Sequence, residues 1–127
     1  MVKYQVEYPI KSSIAILFKL LATPGGLSEW FCDDVNYENN GNTFVFKWAD
    51  SEQKAEILQK SEGKFIRFRW EDHDPEEDTY FELNIQVDEI TGDVALVVTD
   101  FCDEGDEEES MSLWESQAQT LAKKLGA

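Results

Sequence analysis

The run from Asp106 to Leu125, DEEESMSLWESQAQTLAKKL, reads as one long amphipathic helix, and it constrains the rest of the chain most. Met111, Trp114, Ala118, Leu121 and Leu125 recur at steps of three and four, which puts them on one helical face. Acidic residues fill the first turn, and Lys123 and Lys124 close the last, so both ends complement the helix dipole. Asp106 and Glu109 have the spacing of a capping box. At about 1.5 Å per residue this helix would be roughly 30 Å long, enough to cross a small domain. A helix of that length with a one-sided apolar stripe needs a concave apolar surface to lie in.

The upstream residues supply one. Residues 2–9 alternate, with Val2, Tyr4, Val6 and Tyr8 opposing Lys3, Gln5 and Glu7, which predicts a half-buried strand ended by Pro9. Ser12 or Ser13 then caps a helix with Ile14, Leu17, Phe18 and Leu21 as its buried stripe. Thr23-Pro24 starts a second short helix reaching about Phe31. Two glycines weaken that helix, so packing of Leu27, Trp30 and Phe31 must hold it.

From Asp33 onward the period is two. Asn40-Gly41 predicts a hairpin between a strand near residues 34–38 and one at 43–49, where Phe44, Phe46 and Trp48 share a face. Further strands follow at 52–60 (Ala55 and Ile57 inward), 64–71 (Ile66, Phe68 and Trp70) and 80–89 (Phe81, Leu83, Ile85 and Val87). Arg67 and Arg69 should oppose the acidic face of the 80–89 strand in cross-strand charge pairs. The strand at 94–101, VALVVTDF, is apolar on both faces, which predicts a covered position or a further contact surface such as a homodimer interface.

The chain of 127 residues fits a single domain spanning 1–127, large enough for one core without staples. Its net charge of −16, from 27 acidic and 11 basic residues, opposes binding to nucleic acid and to anionic membrane surfaces. The apolar run Ile14 to Ala22 loosely imitates a leader, but Lys19 interrupts it and it is too short to span a bilayer. It reads as a core helix, with no membrane insertion and a cytoplasmic location expected.

The residues able to carry chemistry are few. His73 lies in the acidic loop 72–78 with no visible partner for general-base work. Cys32 and Cys102 have acidic neighbours that disfavour a reactive thiolate, so both read as reduced, small hydrophobes. Asp33 and Asp34 would serve as an acid–base pair only if one were buried. The acidic run 100–109 lacks calcium-loop spacing, and no other metal or cofactor motif is present.

Two stretches carry a resemblance to a known family. ATPGGLSEWFCDDV at 22–35, and VTDF at 98–101 followed by an acidic loop and LWESQAQTLAKKLGA, resemble small bacterial START-like proteins similar to the activator of the Hsp90 ATPase. The element order of strand, two helices, six strands and long helix also matches that superfamily. The resemblance implies an α+β helix-grip fold (START-like, Bet v 1-like): a curved antiparallel sheet around the C-terminal helix, with a cavity between them. It implies that Phe46, Trp48, Phe68, Trp70, Leu83 and Ile85 face Trp114, Ala118 and Leu121, with Trp30 and Phe31 near the mouth. Such a wall would bind a small hydrophobic or lipid-like ligand without catalysis. Aromatics facing a helix can equally just fill a core. The family also contains chaperone activators, which would make an Hsp90-type chaperone the partner, and polyketide cyclase-like enzymes.

Overall fold

In a computed structural model, residues 1–126 are described. Seven strands pair antiparallel throughout: β1 (Val2–Ile10), β2 (Asp34–Glu38), β3 (Thr43–Trp48), β4 (Ser51–Ser61), β5 (Phe65–Trp70), β6 (Phe81–Val87) and β7 (Val94–Cys102). Their spatial order is β1-β7-β6-β5-β4-β3-β2. Strands β2 to β7 therefore form a meander, and β1 joins it beside β7. Two helices, α1 (Ile14–Ala22) and α2 (Pro24–Leu27), carry the chain from the β1 edge to the β2 edge. The closing helix α3 (Glu107–Lys124) follows β7. This is the expected helix-grip arrangement.

Local chemistry sets the element ends. The Ser13 hydroxyl accepts from Ile16 N at the start of α1, and the Thr23 hydroxyl accepts from Gly26 N at the start of α2. The hairpin after β2 turns through positive φ at Asn39, Asn40 and Gly41, a conformation that Asn and Gly tolerate best. Gly26 is needed for a different reason. A Cβ there would lie 2.1 Å from Lys19 O and 2.6 Å from Leu20 Cα, so only glycine lets α2 pack onto α1.

Several expectations are corrected. Helix α2 ends at Leu27, and Trp30 and Phe31 sit in the turns that follow, consistent with the helix weakness of two adjacent glycines. Pro9 does not end β1, which runs on to Ile10; β1 is an edge strand, where proline is tolerated. Ile14 and Val87, expected inside, are 40% and 44% exposed, because each lies at the end of its element. The capping box does not form. Asp106 has φ −101° and ψ 7°, outside the extended region a capping side chain needs, and Glu107 instead accepts from Gly105 N at 2.6 Å.

Arg67 is paired with Glu82 in the β5–β6 register, and its Nε and one terminal nitrogen donate to the same carboxylate oxygen at 3.0 and 2.8 Å. Arg69 has no partner on β6, which begins only at Phe81, and although it stands opposite Glu56 of β4 its guanidinium turns elsewhere. It reaches Thr79 O at 2.9 Å and the Asp78 carboxylate in the preceding loop. On the outer side of β7, Val97 is buried between Glu7 and Asn84 in the register, and Thr99 accepts from the Gln5 amide at 3.0 Å. Flanking side chains thus cover much of the apolar outer face of β7.

A candidate site in the seam between sheet and closing helix

The inward residues of β3, β5 and β6 and the apolar face of α3 meet along a seam, and Phe31 lies at its centre. Its ring is stacked with Phe81 of β6 (6.0 Å between centroids, 22° between planes) and with Trp114 of α3 (5.7 Å, 26°). It also meets Phe46 at 5.3 Å, Trp48 at 5.9 Å and its neighbour Trp30 at 5.6 Å. Phe68 and Trp70 each stack on Phe81 at 5.0 Å, and Phe44 joins through Phe46 and Phe68. Offset and edge-on contacts of this kind add about 0.5–1.5 kcal/mol per pair beyond the burial itself.

The position of Phe31 matters for chemistry. It belongs to neither wall of the seam but to the irregular segment between α2 and β2. A loop-borne ring therefore fills the space between the sheet and the helix. Its backbone is fixed: Phe31 O accepts from Trp48 Nε1 at 3.3 Å and from Gln117 Nε2 at 3.2 Å. Trp30 is held separately, donating Nε1 to Leu20 O at 2.8 Å.

The structure brings ten of the eleven residues expected to line a ligand site into one contiguous core. Trp30, Phe31, Phe46, Phe68, Leu83, Ile85, Trp114 and Leu121 are buried there, and Trp48 and Trp70 are half-buried against it. Ala118 is buried on α3 but stands outside that cluster. Phe81 and Phe44 belong with the ten. The alternation of their strands places both on the same face as residues already named.

A polar group at one end of the seam was not anticipated. Asp100 on β7 lies opposite Tyr4 on β1 and accepts from Trp114 Nε1 at 2.8 Å and, more weakly, from Tyr4 OH at 3.5 Å. The Tyr4 hydroxyl also bonds Ser110 of α3. Burial raises the Asp100 carboxyl above the usual carboxylate range, and it pushes the Tyr4 hydroxyl up to about 12. The signal was present in the sequence. Position 100 shares the inward phase of Leu96 and Val98, so the strand turns an acid toward the core.

Five concavities of about 330–520 Å³ are described, and none is bounded by the walls of the seam. Of the expected ligand residues only Trp70 lines one, a cleft of about 340 Å³ that it shares with His73, Tyr80, Phe101 and Asp100. His73 Nδ1 lies 2.8 Å from Trp70 O. Asp33 and Asp34 are both exposed. Both cysteines are free, and burial pushes the Cys32 thiol up to about 11. Among the described residues no group of three or more His, Cys, Asp and Glu is arranged to hold a metal ion, and no helix is long and apolar enough to cross a membrane.

Comparison with known proteins matches the whole chain, residues 1–127, to the START-like superfamily domain. A Bacteroides fragilis protein solved in solution is 34% identical, with 98% of this chain and 90% of that one covered at a TM-score of 0.67. The Aha1 dimer from Colwellia psychrerythraea superposes at a TM-score of 0.76 with 18% identity, covering 96% and 94% of the two chains. DynU16, from the dynemicin biosynthetic locus, gives 0.73 with 14% identity over 98% of this chain and 47% of that one. The last two show the fold alone. No curated protein matches the chain significantly.

Proposed function

The chain belongs to the START-like superfamily, and on that premise we propose that it is a non-enzymatic binding domain for a small hydrophobic or amphipathic molecule, held between sheet and α3. The observation that carries this reading is the sandwich of Phe31 between Phe81 and Trp114. In the packed form Phe31 takes the place of the ligand. Side-chain rotation of one loop-borne ring would free an aromatic-walled slot without breaking a strand–strand hydrogen bond. A flat apolar ligand would replace ring contacts with equivalent ones, so the exchange costs little burial. Trp48 and Trp70, half-buried at the edge of the seam, mark the side of access.

The experiment is a thermal-shift and NMR titration with indole, naphthalene and lipid-like probes. Binding in the seam raises the melting temperature and shifts the indole N–H signals of Trp48 and Trp114. If no probe raises the melting temperature and none moves those signals, the reading fails. Native mass spectrometry of freshly purified protein would show any ligand carried from the cell.

The second reading is a cytoplasmic partner of an Hsp90-type chaperone, supported by likeness in fold to the Colwellia Aha1 dimer. The residues behind the resemblance have structural work of their own: Thr23 caps α2, and Trp30 and Phe31 are buried. A partner surface would therefore use other residues, and a pulldown and ATPase assay with the cognate Hsp90 tests it. Dimer formation is a separate reading, raised by the strand apolar on both faces, and light scattering showing only monomer at high concentration would dispose of it. A cyclase-type enzyme, raised by the superfamily resemblance, comes third and requires a substrate before any residue can be tested.

A further inference from the structure

A second concavity lies away from the aromatic seam, where the outer side of α1 meets α2 and the end of α3. Its volume is about 460 Å³, inside the range of about 300–1,000 Å³ typical of small-molecule sites. Ile16, Leu20 and Leu125 give it an apolar lining, and Lys19 and Lys124 bring two ammonium groups to it. Glu29 lines it as well. Of the five concavities described, this one alone combines that apolar lining with two lysines.

Two features of the groove bear on what it could hold. Ile16 is 55% exposed on a helix whose packing is already supplied by Leu17, Phe18, Leu20 and Leu21. Lys19 and Lys124 make no ion pair among the described residues, in a chain where acids outnumber bases 27 to 11. Each lysine lies in the last turn of its helix, where a cation complements the dipole. That accounts for the lysines singly. It does not account for an exposed isoleucine beside them in the same groove.

We propose that this groove binds a small amphipathic anion, a medium-chain monocarboxylate in chemical class. Its alkyl chain lies on Ile16, Leu20 and Leu125, and its carboxylate is held by Lys19 and Lys124. Glu29 limits the ligand to a single negative charge, since a second would face like charge. The site is separate from the seam, so either can fail alone.

The test is an NMR titration of the full chain with decanoate below its micelle concentration, with decanol as the uncharged control. Decanoate should shift amides within residues 16–20 and 124–125, and decanol should bind at least tenfold more weakly. Lys19→Gln with Lys124→Gln should lower decanoate affinity at least tenfold, and Glu29→Gln should raise it several-fold. Absent shifts, equal affinity for decanol, or unchanged affinity in the double variant would each overturn the proposal. Shifts confined to the Trp48 and Trp114 indoles would overturn it too, and would instead support binding in the seam.

Discussion

Trp114 on α3 donates its indole N–H to Asp100 on β7 at 2.8 Å, a polar pin at the head of an otherwise apolar seam. Burial is the largest influence on this carboxyl and raises its pKa, which outweighs the hydrogen bonds that favour the ionised form. A carboxyl whose folded pKa lies above its unfolded value binds its proton more tightly when folded. Its stabilising share is complete below the unfolded pKa and is lost as pH rises through the folded one. The difference in stability between wild type and Asp100→Asn should therefore move against wild type across that window and stay level above it. Urea denaturation at stepped pH measures this. Asp100→Asn keeps an acceptor for Trp114, whereas Asp100→Ala leaves a buried donor unpaired and should cost about 1–3 kcal/mol relative to Asn.

Gly25 and Gly26 should respond oppositely to alanine. A Cβ at Gly26 meets the α1 backbone at 2.1 and 2.6 Å, and backbone cannot step aside cheaply. Gly26→Ala should cost about 3 kcal/mol or more, at the upper end of overpacking penalties. At Gly25 no atom lies within 4 Å of the added Cβ, and the residue is within α2. Gly25→Ala should be neutral or stabilise by about 0.4–1 kcal/mol, by restricting the unfolded chain. Melting curves of the two variants distinguish them directly.

How far the sequence carried the fold is best seen in these same elements. The α3 stripe was legible because Trp114, Ala118 and Leu121 keep one helical period, and all three are buried. The strands were legible wherever one face packs on the core, as in Phe81, Leu83 and Ile85. Ends were not, because Ile14 and Val87 are apolar by composition yet lie where packing stops. The site was legible as a set of inward residues but not as a packed seam. Periodicity assigns a residue to a face, whereas the position of Phe31 depends on how a four-residue helix ends. Asp100 was missed because it was weighed only as the start of the acidic run 100–109, although its phase in the strand points inward.

The Arg67–Glu82 pair should contribute measurably, since Glu82 is largely shielded and two guanidinium nitrogens share its oxygen. Arg67 also lies 4.2 Å from the centre of the Tyr80 ring, which helps fix its geometry. A double-mutant cycle with Arg67→Met and Glu82→Gln should give a coupling of about 0.5–1 kcal/mol, falling as salt is added. A coupling of zero would mean that the ring contact alone positions the arginine.

Cys32 should be a poor nucleophile in the folded protein. Burial pushes its thiol to about 11, and its Sγ donates to Asp34 O at 3.3 Å. At pH 8 its thiolate fraction should be roughly a hundredfold below that of a free cysteine, with reaction toward a disulfide reagent slowed in proportion. Denaturant should restore the rate. A fast reaction in the native state would place Cys32 in a more open environment than the packing indicates.

Phe31 offers the sharpest test of the seam, because shortening it should separate stability from binding. Its ring contributes contacts to the sheet, α3 and the adjacent Trp30 together, so Phe31→Ala should cost about 3–5 kcal/mol, as large-to-small core changes do. A domain of this size has about 5–15 kcal/mol to lose, so the variant should remain folded at low temperature. If Phe31 is a plug, its removal leaves a void walled by Phe81 and Trp114, and indole or naphthalene should bind more tightly than to wild type. Added probe should then recover part of the lost melting temperature, since a ligand that binds only the folded state stabilises it by mass action. A destabilised variant that no aromatic probe rescues would show that the seam collapses when emptied, and Phe31 would be a core residue and nothing more.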